Sequence, residues 1–379
     1  MKRAPSLLLT ALLALPAAAQ TTQPAPSPGG LPTLKSFPIA VWLQSPENAP
    51  KFQAIGINLY VGLWEGPTAD QLAALEKVHM PVICEQNAEG LKPRWKDEIV
   101  AWMQDDEPDN AQSLPNDKGY GPPILPSVIQ DIYKKMKTAD PARPVMLNLG
   151  QGVAWDDYYG RGTRTNKPED YPQYALGGDI LSFDIYPMCS PDKPVAGKPE
   201  FVGRGVDRLL KAGDNKKPAW ACIECTHISN PEKIATPAQV KCEVWLAITH
   251  GATGIIYFVH QFAPKFVEAG LIQDPKMTAA VKDINAQIQS LAPALGNPAP
   301  VPPATLQSNP AISLLTRKAG TTTYVFAVNA SDAKTSATFT HPAAGAKVEV
   351  VDEARTLTPQ TQSWTDTFAP FEVHIYRLP

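Results

Sequence analysis

The sequence predicts the α/β class: an eight-fold β/α (TIM) barrel followed by a small C-terminal all-β sandwich. Three observations carry this. Between residues 38 and 291, eight short apolar runs alternate with stretches of helical periodicity, the pattern of parallel strands joined by crossover helices. An open doubly wound sheet would want a glycine-rich phosphate loop after its first strand, and Gln44-Ser45-Pro46 offers none. Beyond a proline-rich stretch, residues 305–379 hold strand-like runs separated by turns.

The chain divides accordingly. Residues 1–19 have the build of a signal peptide, with Lys2 and Arg3 ahead of an apolar middle and Ala17-Ala18-Ala19 as the cleavage site. An exported chain, secreted or periplasmic, is the expectation. Residues 20–33 have the composition of a disordered leader, 34–296 the length of a barrel, 297–304 the character of a linker and 305–379 the size of a sandwich. After the leader, no run approaches the roughly 20 apolar residues of a membrane span. A net charge of −3 without basic clusters speaks against nucleic acid or an anionic membrane as partner.

Strand one is read at residues 38–43, with a short helix at 46–55. Strand two, 57–63, leads to Trp64. A helix at 68–78 has Thr68 to cap it and Leu72, Leu75 and Val78 along one face. Strand three, 81–84, leads to Glu85, Gln86 and Asn87. Strand four, 99–103, runs into Asp105, Asp106 and Glu107 and is stopped by Pro108, which suits the first turn of a helix. A helix at 124–138 precedes strand five at 144–149, and strand six spans 179–186. A helix at 201–212, strand seven at 218–224 and a helix at 236–250 follow, the last with Thr236 as cap and Pro237 at its first position. Strand eight at 254–259 and a helix at 277–291 close the barrel. Sandwich strands are read at 311–315, 322–328, 336–340, 348–351 and 371–378. The sandwich is expected to pack against the barrel and is assigned no chemistry.

In such a barrel the carboxyl ends of the strands converge on one mouth. Here they carry Trp42, Tyr60 and Trp64, Glu85 and Asn87, Asp106 and Glu107, Asn148, Tyr186, Glu224, and Phe258 with His260; Asp184, two before Tyr186 with the same facing, either contacts substrate or joins a polar layer of the barrel. That is a carboxylate-rich centre ringed by aromatics and amides. Aromatic faces stack on the C–H surfaces of sugars, and acids and amides bond the hydroxyls. An oligo- or polysaccharide is the expected partner. A phosphate site would want glycines and lysines instead. His227 and the loop from Trp155 to Tyr159 are further candidates for the wall of the cleft, against the plainer reading of hydrogen-bonded or packed structural residues.

Glycosidic cleavage needs a protonated acid for the leaving oxygen and a carboxylate for the anomeric carbon. Strands four and seven face each other across the mouth. Glutamates at their ends can bring carboxyls to about 5–5.5 Å, the spacing for retention. These motifs resemble the clan A retaining glycoside hydrolases: Glu107 in Asp-Asp-Glu-Pro after strand four, Tyr186 in Asp-Ile-Tyr-Pro after strand six, and Glu224 ending strand seven. The resemblance implies that Glu107 is the general acid/base, Glu224 the nucleophile, and Tyr186 the residue that hydrogen-bonds Glu224 and holds it in place. One departure stands out: the clan places asparagine before the acid/base, and this chain has Asp106. A charge there would raise the pKa of Glu107. The expected activity is hydrolysis of β-linked glycans with retention, β-glucans among them. The alternative is a barrel that binds glycans without cutting them.

No cofactor and no metal is expected. No paired-histidine spacing occurs, and Gly-x-Ser-x-Gly is absent. Cys222 and Cys225, with His227 and Cys242, make a poor zinc site, since positions i and i+3 on a strand face opposite ways. Of the five cysteines, Cys189 and Cys225 lie just beyond strand ends and are the expected disulfide pair.

Overall fold

The computed structural model describes residues 28–379 apart from 298, 308 and 310. The expected signal peptide, residues 1–19, and the first part of the expected leader lie outside the described residues. Eight parallel strands close into a barrel in chain order: β1 Ile39–Trp42, β2 Leu59–Val61, β3 Val82–Glu85, β4 Ile99–Met103, β5 Val145–Leu149, β6 Ile180–Phe183, β7 Ala219–Glu224 and β8 Gly254–Phe258. β1 closes the ring by pairing Ile39 with Ile255 on β8.

Side-chain alternation separates two apolar layers. Ala40 and Trp42, Leu59 and Val61, and Trp220 and Cys222 fill the barrel interior. Their neighbours Val41, Tyr60 and Ala221 face the helices. The floor is filled from an unexpected direction. Gly29, Gly30 and Leu31, in the stretch read as disordered, pack under the strands' amino ends. Leu31 is fully buried in the inner core, and the Trp220 indole donates to the Gly29 carbonyl at 3.0 Å. A Cβ on Gly29 would meet the Pro38 ring at 2.4 Å, so only glycine fits there. The leader is therefore ordered from Pro28 onward.

Helices form where the periodicity places them, α2 Ala69–Lys77, α3 Pro126–Ala139, α5 Glu200–Ala212, α6 Pro237–Thr249 and α7 Pro275–Leu295, with a short α1 Ala49–Gln53; the short α4 Tyr171–Ala175 was not read from the sequence. Thr68 with Gln71 and Thr236 with Gln239 each make a reciprocal capping box, satisfying two otherwise orphaned N–H groups per helix. Between β3 and β4 the connection holds only a 3₁₀ turn at Pro93–Trp95.

The C-terminal domain stacks two antiparallel sheets. One has five strands, in the order β10 Ile312–Ala319, β11 Thr322–Asn329, β16 Val373–Leu378, β13 Val348–Val350 and β14 Arg355–Leu357. The other orders β15 Ser363–Phe368, β12 Thr335–Thr340 and β9 Thr305–Leu306. The larger sheet is apolar on both faces. Phe326, Val328, Val373 and Ile375 join the core of the barrel's helices, and Tyr376 and Leu378 face the second sheet. Trp245 of α6 stacks on Phe326 at 5.4 Å. Each such buried side chain contributes about 1.5–3 kcal/mol, so helix α6 is held between barrel and sandwich.

All five cysteines are free and buried. The expected Cys189–Cys225 disulfide does not form, because the two thiols turn to different carbonyls. Cys189 donates to Thr226 at 2.9 Å and Cys225 to Phe258 at 3.3 Å.

Candidate active site

The chain after β4 sorts its acids by position. Asp105 and Asp106 are exposed, Glu107 is half-buried and Asp109 is fully buried. Asp109 anchors the loop from behind. It accepts from the Gly150 amide at 2.8 Å and the Tyr171 hydroxyl at 3.1 Å, with Arg161 at 3.8 Å. Glu107 takes a left-handed backbone, φ +45°, which costs a non-glycine residue energy and is found where a site holds a side chain in a required direction. Its amide donates to the Asn148 carbonyl of β5 at 3.1 Å.

Held in this way, Glu107 pairs with Asp184, which follows β6. Burial first, then the negative charges of Asp184, Asp106 and Asp109, hold the Glu107 carboxyl well above the usual range. Burial also raises Asp184, while its bonds with Glu107 and with the Tyr186 hydroxyl favour its charged form. Two carboxyls in contact cannot both ionise cheaply, so the pair holds one proton between them. Asp184 Oδ1 is buried with no hydrogen-bond partner among the described residues. One oxygen of Glu98 and both of Glu243 are likewise buried without a partner, so the lone pair alone does not mark the site; at Asp184 it belongs to a residue only partly buried.

The neighbours complete the mouth. Asn148 donates to Asp106 at 2.9 Å and is itself fixed by the Ser182 hydroxyl at 2.7 Å. Asp106 sits on the exposed rim, yet protein crowds its carboxyl. That desolvation, helped by Asp184 and Asp109 and opposed by the Asn148 bond, pushes it up to about 7. Burial raises the Tyr158 hydroxyl, and the charges of Glu107 and Asp184 add to this, so the loop after β5 stands beside the pair. Tyr186 packs on Phe258 at 5.1 Å, and Phe258 continues to His260 at 5.3 Å.

Glu224 is not in this group. It is fully buried, and its two oxygens accept from the Met188 and Cys189 amides at 2.6 and 2.7 Å. It pairs instead with Glu243 of α6, also fully buried and raised well above the ordinary carboxyl range by burial and then by the charge of Glu224. Tyr186, expected to hold Glu224, is directed at Asp184.

The remaining candidates separate cleanly. Tyr60 is misassigned: on the three-residue β2 it faces outward, donating to the Ser45 carbonyl at 3.3 Å and touching Phe52. Trp42 lies inside the barrel wall, 6% exposed, and Glu85 is exposed at the end of β3. Trp64 stands free on the rim at 71% exposure. Trp155 is buried and props up Tyr158 and Tyr159, at 5.8 and 6.5 Å. His227 Nδ1 is engaged by the Asn230 and Lys233 carbonyls, a structural role. His260 is buried against Gln44 at 3.2 Å, its pKa lowered by that burial. Sequence reasoning missed Phe262 and Phe266, which stack with His260 at 6.0 and 6.1 Å in the loop after β8. Nothing periodic marks that loop; its aromatic content was the one available signal.

A cleft of about 950 Å³ lies elsewhere, between the barrel floor, the linker and the sandwich. Its lining includes Lys35 and Arg317 but no carboxylate, so the acid chemistry belongs to the mouth.

No family model matches the sequence, and no curated protein does. Among solved structures the chain is similar to a putative α-galactosidase from Bacteroides fragilis NCTC 9343, with a TM-score of 0.52 and 10% identity over 91% of this chain and 79% of that one. It is also similar to a GH30 endoxylanase from Clostridium papyrosolvens C71, with a TM-score of 0.50 and 10% identity over 91% and 96%. At that identity the likeness is one of fold: a closed eight-stranded β/α barrel with a C-terminal all-β domain.

Proposed function

We propose that the chain is an exported glycoside hydrolase that cleaves β-linked glycans with retention, and that Glu107 and Asp184 are its two working carboxyls. The observation that supports this best is the proton-sharing pair at the mouth, partly open to solvent and carrying one unpartnered buried oxygen. Carboxyls in hydrogen-bond contact are closer than the roughly 5–5.5 Å of retaining enzymes and far from the roughly 6.5–9.5 Å that leaves room for a water in inverting ones, so the retaining scheme has the pair part around the anomeric carbon. The fold likeness to an endoxylanase and a putative α-galactosidase is consistent with the reading. Export follows from the leader sequence, and the β-linkage from the motif resemblance.

In this scheme Glu107 holds the proton and gives it to the leaving glycosidic oxygen. Asp184 attacks the anomeric carbon through Oδ1 as the C–O bond breaks, forming a glycosyl ester. The leaving sugar departs, and a water enters in its place. Glu107, now a carboxylate, takes that water's proton as the oxygen attacks the same carbon, releasing Asp184 and restoring the start. Tyr186 steadies the charge on Asp184, and Asn148 and Asp106 stand beside Glu107 to meet sugar hydroxyls.

Hydrolysis of a panel of aryl α- and β-glycosides and soluble polysaccharides, followed by proton NMR of the first-formed anomer, tests the proposal. Turnover of a β-glycoside to the β-anomer is expected. An α-anomer from a β-substrate would remove the retaining scheme, and no turnover on any member would leave a glycan-binding barrel.

A further inference from the structure

Three neighbouring strands break the apolar lining of the barrel. Met146 of β5, Ile180 of β6 and Trp220 of β7 belong to the inner core. Two residues further along each strand, on the same side by alternation, stand Asn148, Ser182 and Cys222. Trp42, Val61 and Met103 keep the ends of β1, β2 and β4 apolar. Ser182 is fully buried and Asn148 nearly so. Polar side chains withdrawn from water cost free energy unless they are paired, and these are paired in one direction.

That direction runs from the interior to the rim. The Ser182 hydroxyl donates to Asn148 Oδ1 at 2.7 Å, and the Cys222 thiol points at the same oxygen from 4.0 Å. Asn148 Nδ2 then donates to Asp106 Oδ1 at 2.9 Å. An amide has nearly the same shape either way round, so the donors at its oxygen decide that its N–H end faces the rim. Each bond polarises the next, and the chain ends on a carboxylate. The titratable groups around Asp106 are Glu107 and Asp109 of its own loop, Asp184 after β6 and the Cys222 thiol of β7. None is a cation. Beside the Glu107 amide, Asn148 is the one group that favours the charged form.

We infer that Ser182, buried beneath the mouth, is a positioning residue: through Asn148 it holds Asp106 as a hydrogen-bond acceptor on the exposed rim, where it selects a ligand that offers a hydroxyl. This rests on the glycosidase reading for the ligand, but not for the state of Asp106. Burial and the surrounding acids push that carboxyl up to about 7, so near neutral pH its charge depends on the donors that reach it. Without the Ser182 hydroxyl the Asn148 oxygen loses its main donor, the amide is free to turn, and Asp106 takes up a proton at higher pH. A protonated Asp106 would offer a donor to the ligand where the charged form offers only acceptors.

Carbon-13 NMR of the full chain labelled at the aspartate Cγ follows the Asp106 carboxyl through pH, its signal identified by its loss in Asp106→Asn. In Ser182→Ala the midpoint should rise by about one unit, the scale of losing a bond to a charged group. Ser182→Thr, which keeps the hydroxyl, should restore it. With an aryl β-glycoside as substrate, the wild-type KM should rise as pH falls through the Asp106 midpoint. In Ser182→Ala that rise should begin at correspondingly higher pH, whereas lost packing would change KM by one factor at every pH. An unmoved Asp106 midpoint in folded Ser182→Ala overturns the inference. Ser182→Val and Ser182→Thr repeat the comparison at constant shape, and equal midpoints in that pair overturn it even where Ser182→Ala does not fold. A shifted midpoint with a KM that ignores it overturns the ligand contact. A shifted midpoint in a chain that turns over no glycoside removes the hydrolase reading and keeps the positioning of Asp106.

Discussion

The molecule contains two pairs of acids with the same chemistry and different surroundings. Glu107 and Asp184 meet at the mouth, half-open to solvent, with an oxygen of Asp184 unpartnered. Glu224 and Glu243 meet between β7 and α6, with no solvent exposure and with both Glu224 oxygens taken by backbone amides. Each pair shares a proton because burial and mutual repulsion forbid two charges. Only the first can be reached by a substrate. Both oxygens of Glu243 are unpartnered too, so access and not a free lone pair separates the pairs: a raised pKa does not identify a catalytic carboxyl unless a substrate can reach it.

The largest expected effect sets the pairs against each other directly. Asp184→Asn should lower kcat by about 10³-fold, the upper range for a group acting in the transition state, with little change in melting temperature. Glu224→Gln should stay within about tenfold of wild type, since an amide can still accept from Met188. If instead Glu224→Gln is folded and silent while Asp184→Asn turns over, the roles implied by the motif resemblance return and the buried pair becomes the site.

Next in size is stability against pH. Glu243 and Glu224 bind protons more tightly folded than unfolded. Their contribution is present below the unfolded carboxyl range and is lost as pH rises through the raised values, each unit being worth about 1.4 kcal/mol. Wild-type melting temperature should fall toward alkaline pH. Glu243→Gln, which cannot ionise and can donate to Glu224, should flatten that slope, and more than Asp184→Asn does. An equal slope in both variants would erase the distinction in burial.

Two smaller effects sharpen the mouth. Tyr186→Phe removes a bond to a charged group, worth about 1.5 kcal/mol. It should cost about tenfold in kcat and move the acidic limb of the pH–rate profile upward, because the hydroxyl favours ionised Asp184. Asp106→Asn should move the alkaline limb to lower pH, since the Asp106 charge helps raise Glu107. An unmoved alkaline limb would mean that Asp106 is no more than a rim hydrogen bond to Asn148.

Much of this was legible in the sequence for physical reasons that also mark where legibility ended. The eight strands and the caps Thr68 and Thr236 follow from periodicity and local hydrogen bonding, which a short window contains. Asp106, Glu107, Asn148, Asp184 and Tyr186 could be placed at one mouth because strand ends converge there. The phase of a three-residue strand could not be read, so Tyr60 was set facing inward. The surroundings of Glu224 could not be read because its partners are distant in sequence: the amides of Met188 and Cys189, and Glu243. Strand β15 went unread because its polar sequence hides a buried Asp366, tolerated through the Arg355 fork at 3.1 and 2.8 Å and the Tyr376 hydroxyl at 3.1 Å.

The packing of Gly29–Gly30–Leu31 beneath the barrel has an orientational consequence. Pro28 lies at the face opposite the mouth, under the amino ends of the strands. Whatever is joined upstream of it therefore leaves from the far pole of the molecule. A carrier bead or surface coupled through that side would hold the acid-bearing pole pointing away from itself. The cleft would then stay open to long polymers that cannot follow the protein onto its support.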